Sequence, residues 1–90
     1  MNTANNIIEG LIIDLDRERN SVEETYRAAR IEWDKARKRQ NELLESDPYS
    51  QECTDACADV RAYFKMLQDL DDKSTALWGA VRKLKQAQEL

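Results

Sequence analysis

Apolar residues recur in the first half of the chain at Ile8, Ile12, Leu15, Val22, Tyr26, Ala29, Trp33, Ala36 and Leu43. Arg19 and Gln40 fill the gaps, so the steps alternate between four and three residues without a slip. This is the heptad spacing of a helix that buries one narrow stripe, with Ile8 at position d and Ile12 at a. A second run follows at Cys53, Ala56, Val60, Tyr63, Leu67, Leu70, Leu77, Val81 and Leu84, with Ser74 and Gln88 completing the alternation. Here Cys53 is a and Ala56 is d.

In an antiparallel pair of helices, an a residue of one shares a layer with a d residue of the other. Matching the two runs in reverse order pairs Leu43 with Cys53, Trp33 with Tyr63, Leu15 with Val81 and Ile12 with Leu84. Every such pair is centred on residue 48, which is the only proline in the chain. Proline breaks a helix and disfavours helical geometry at the residue before it. The pattern therefore predicts one all-α domain over residues 1–90. It is an antiparallel two-helix coiled-coil hairpin, with a helix over about 4–46, a turn over 46–50 and a helix over about 51–89.

Local chemistry agrees. Ser46, Asp47, Pro48, Tyr49 and Ser50 are the one cluster of turn formers between the runs. Asp47 and Ser50 offer side-chain acceptors to the free amides of the second helix, and Thr3 offers one to the first. One level is ambiguous. Ser21 and Glu24 form a capping-box pair beside Asn20, which would split the first helix and give three helices in all. The unbroken heptad phase across this level favours a continuous helix. The same seams would also fit a domain-swapped dimer.

Across the hairpin, flanking positions meet their own kind, g with g and e with e. This places Arg39 near Asp59, Glu9 near Lys85, and Arg30 near Phe64 for a cation–π contact. Glu23 falls near Asp71 as a like-charge contact. Large apolar side chains lie off the seam at Ile7, Leu11, Ile13, Phe64 and Trp78, where two helices alone do not bury them. These five form the expected self-association or partner surface, and a two-fold dimer of hairpins would make a four-helix bundle. Simple half-burial beside a wide seam is the plainer alternative.

Composition narrows the chemistry. Charged residues make up 36% of the chain and the formal net charge is −4, which disfavours nucleic acid as the main partner. Arg27, Arg30, Lys35, Arg37, Lys38 and Arg39 nonetheless form a basic arm, interleaved with Glu32, Asp34, Glu42 and Glu45. It reads first as a solvated, salt-bridged face, then as a charged docking face for an acidic protein, and last as a nucleic-acid contact. The chain holds no histidine, so the commonest general base and metal ligand are missing. Its two cysteines, Cys53 and Cys57, are too few for a structural zinc site. Four apart on a helix, they are also poorly placed to bridge each other. Cys53 reads as a core residue, and Cys57 as a thiol open to an intermolecular disulfide. No catalytic residue, metal ligand or cofactor site is expected.

No apolar run approaches the roughly 20 residues of a membrane span, no signal segment is recognisable, and a cytoplasmic location is the default expectation. No family motif is carried. The Trp-x-Gly turn of secreted helical hairpins is absent, because Trp78 and Gly79 are adjacent and lie deep in the second run. The expected function is a non-enzymatic protein–protein interaction module, an adaptor, scaffold or inhibitor that pairs with itself and with another protein. Two alternatives remain open. One is a small phage-type inhibitor of a host enzyme or defence complex. The other is a nucleic-acid-binding protein using the Arg27–Arg39 arm.

Overall fold

A computed structural model describes residues 3–89. Helix α1 spans Thr3–Ser46 and helix α2 spans Gln51–Glu89, folded against each other as a rod 69 × 15 × 14 Å. α1 is uninterrupted through Asn20 and Ser21, so the three-helix alternative does not hold. The Thr25 hydroxyl donates to the Ser21 carbonyl at 3.0 Å, a bond within a continuing helix rather than at a new start.

The turn follows from its residues. Asp47 N–H closes the end of α1 on the Leu43 carbonyl at 2.7 Å. Ser50 caps α2: its hydroxyl accepts from Cys53 N–H at 3.0 Å, and its carbonyl accepts the first helical bond, from Thr54 N–H at 3.2 Å. Asp47 contributes its carbonyl, which accepts from the Ser50 amide and hydroxyl, and among the described residues its carboxylate caps no amide. The expected double cap is thus a single one. Thr3 is the first helical residue of α1, and the residue preceding it lies outside those described.

All eleven seam positions in each helix are buried or half-buried. Ile12, Val22 and Ala29 of α1, with Cys53, Ala56, Leu67 and Val81 of α2, form the buried core, and Val81 is completely enclosed. Each layer is one residue thick on either side, which is why the core is a line rather than a volume. Among the described residues no helix is long and apolar enough to cross a membrane.

Candidate functional site

Closing the seam leaves two long flanks. One carries the e positions: Asp16, Glu23, Arg30, Arg37 and Leu44 of α1, with Cys57, Phe64, Asp71 and Trp78 of α2. The other carries the g positions, among them Leu11, Glu18, Met66 and Lys73. The flanks differ in chemistry.

On the e flank, the rings of Trp33 and Phe64 stand with centroids 6.4 Å apart. Arg30 and Arg37 sit one turn either side of Trp33, their guanidinium carbons 5.4 and 4.9 Å from its ring centroid. Sequence spacing pointed Arg30 at Phe64; the structure gives it Trp33 instead, because the i,i+3 neighbour on its own helix is nearer. Further from the turn, Arg19 lies 4.8 Å over the Trp78 ring and pairs with Asp16 at 3.4 Å and Glu23 at 3.9 Å. This explains how a seam position tolerates arginine: the stem fills the layer while the guanidinium reaches out to the flank. Two adjoining shallow concavities run along this face. One is bordered by Val22, Glu23, Tyr26, Arg27, Leu70 and Asp71, the next by Tyr26, Arg30, Trp33, Phe64, Gln68 and Asp71.

Three buried side-chain polar atoms lack a hydrogen-bond partner among the described residues: Asp16 Oδ1, Arg19 Nε and Trp33 Nε1. All three belong to residues bordering the e flank. Unpaired buried polar atoms are costly and uncommon in native folds.

The g flank is plainer. Among the described residues, Glu18 and Lys73 form the one ion pair between the helices, at 3.5 Å, with both side chains about half exposed. Met66 and Lys73 border a shallow depression with Ala62, Lys65 and Asp69. The expected pairs Arg39–Asp59 and Glu9–Lys85 do not form; the other ion pairs, Arg30–Asp34 and Lys35–Glu32, lie within α1. Long side chains choose among several neighbours of similar energy, so helix-internal partners win when the cross-helix reach is greater.

Ile7, Leu11, Ile13, Phe64 and Trp78 are all exposed, Ile7 by 60%, Phe64 by 50% and Trp78 by 44%. The register does not gather them into one patch. Ile13, Phe64 and Trp78 fall on the e side, whereas Ile7 and Leu11 fall on the g side. Leu44 and Ile31 are also exposed apolar residues that the periodicity did not single out. Leu44 was legible as an e position; Ile31 faces outward between the flanks. The basic arm is likewise divided. Arg27, Arg30 and Arg37 face the e side, while Lys35, Lys38 and Arg39 turn toward the back and the g side, and all six are exposed.

At the turn end, Gln40 Nε2 donates to the Cys57 sulfur at 3.2 Å, which satisfies a polar seam residue. Burial pushes the Cys53 thiol above its ordinary pKa, with the neighbouring Cys57 and the Asp47 charge adding to the effect. Both thiols are free. Among the described residues no three His, Cys, Asp or Glu side chains converge on a possible metal site. Comparisons with protein-family models, curated proteins and solved structures give no match.

Proposed function

We propose that this hairpin is a non-enzymatic protein–protein interaction module, a rigid rod that pairs with a second copy of itself as a four-helix bundle. The observation that carries this reading is the set of large apolar side chains left in solvent beside a completed seam, Phe64 and Trp78 foremost. The seam has no room for them, and flank residues of a two-helix rod gain cover only from a further helix. The lack of histidine and the shallow concavities supply no setting for general acid–base chemistry. Division of the basic arm between two sides of α1 weakens the case for a phosphate-binding face.

Sedimentation equilibrium over a wide concentration range tests the pairing. A mass twice that of the 10.5 kDa chain is expected. A monomer at every concentration overturns self-association and leaves the exposed flank to a different protein.

A further inference from the structure

The e positions of α1 carry a pattern that neither the seam nor the monomer uses. Walking from the open end toward the turn, they read Asp16, Glu23, then Arg30, Arg37. Acid fills one half and base the other, with the change of sign between residues 23 and 30. Within the hairpin these charges make only loose local contacts: Arg30 reaches Asp34 at 3.9 Å, and Arg19 reaches Glu23 at 3.9 Å. A row that inverts its charge about its own midpoint is complementary to itself turned end for end.

We infer that the e flank is the interface with a second copy of this chain, the two rods lying antiparallel about a two-fold axis at the level of Tyr26 and Arg27. This rests on the self-association reading above and adds the face, the direction and the register. A two-fold axis across the rods stacks α1 on α1 and α2 on α2, each pair antiparallel. Arg30 then faces Glu23 of the second copy, and Arg37 faces its Asp16, each contact occurring twice by symmetry. Parallel rods on the same face would lay acid over acid and place Glu23 against Asp71.

Two further observations agree. The three unpartnered buried polar atoms all border this flank, and the proposed register brings an arginine, Arg37, to the carboxylate of Asp16. Three of the exposed large apolar side chains, Leu44, Phe64 and Trp78, stand on the same flank and gain cover in the same contact. The g flank shows no charge inversion; its Glu18–Lys73 pair closes within one chain.

The test uses the full chain and two double variants, R30E/R37E and D16K/E23K, with circular dichroism confirming that each stays helical. The first makes the α1 row wholly acidic, the second wholly basic. Wild type is expected to sediment as a dimer, and each double variant alone to dimerise more weakly by roughly a hundredfold, as juxtaposed like charges do at interfaces. An equimolar mixture of the two variants is expected to restore a 1:1 heterodimer. A wild-type dimer that both variants reproduce unchanged overturns the face and register while self-association stands. A wild-type monomer overturns both. Loss of the dimer on Leu11→Glu with Met66→Glu, and not on the charge reversals, assigns the contact to the g flank instead.

Discussion

The two halves of the hairpin solve the same packing problem with different residues. Near the turn, the buried set is Ala29, Cys53, Ala56 and Leu67; toward the open end it is Ile12, Val22 and Val81. Small side chains suffice where the covalent turn and the Ser50 cap already hold the helices together. At the open end nothing joins the two helices covalently, and branched aliphatic residues must supply the cohesion by burial alone. The open half also contains both glycines, Gly10 and Gly79, and the arginine layer. It is the half in which local opening is expected to begin.

Leu67→Ala has the largest expected effect. Its layer partner is Ala29, so Leu67 provides nearly all the apolar volume there, and truncation costs about 2–4 kcal/mol. Chemical denaturation should show the whole transition shifting. Val81→Ala, at a side chain with no exposed surface, costs about 2 kcal/mol. Its signature differs: hydrogen exchange should accelerate mainly in the open half and leave the amides around Cys53 protected. Equal acceleration along the whole rod would mean that the halves unfold as one unit and that the contrast between them is only compositional.

Ser50→Ala removes the hydroxyl that accepts from Cys53 N–H and is expected to cost about 1 kcal/mol, read from the thermal midpoint. Gly79→Ala acts in the opposite sense. A Cβ there meets nothing within 4 Å, so the variant should gain about 0.5–1 kcal/mol by stiffening the helix. The smallest effect is one of pH at the turn end. The Cys53 thiol is raised above its ordinary value of 9.0, so its contribution is complete below that pH. It is lost as pH rises through the folded value, because the unfolded chain ionises first. Stability between about pH 8 and 10 should therefore fall more steeply for wild type than for Cys53→Ala, as read from thermal midpoints across the range.

Much of this was legible in the sequence, for a physical reason. A seam is decided by volume and periodicity, and both are written residue by residue, so each layer from Ile8 to Gln88 falls where the spacing puts it. Ser50 was legible because a cap is a local event. The flanks were less so. Phe64 and Trp78 announced themselves by size, but the grouping of Arg30, Trp33 and Arg37 around one ring did not. It depends on which rotamer a long side chain adopts. The basic arm looked contiguous in sequence, yet successive helical residues point about 100° apart, and contiguity in number became dispersal in space. The charge inversion along α1 was visible only after the seam had fixed which positions share a side.

Residues Thr3 and Glu89 lie at the same end of the rod, with Tyr49 at the far tip, almost wholly exposed. A force applied to the two chain ends therefore acts across the layers rather than along them. The helices separate layer by layer, starting at Ile8 and Gln88 and finishing at Leu43 and Cys53. Such peeling requires little force at any moment. In two swapped, extended chains pulled from opposite ends, the same layers would instead be sheared together, and the load would be shared by all of them. The position of a single turn thus decides whether this seam behaves mechanically as a zip or as a splice.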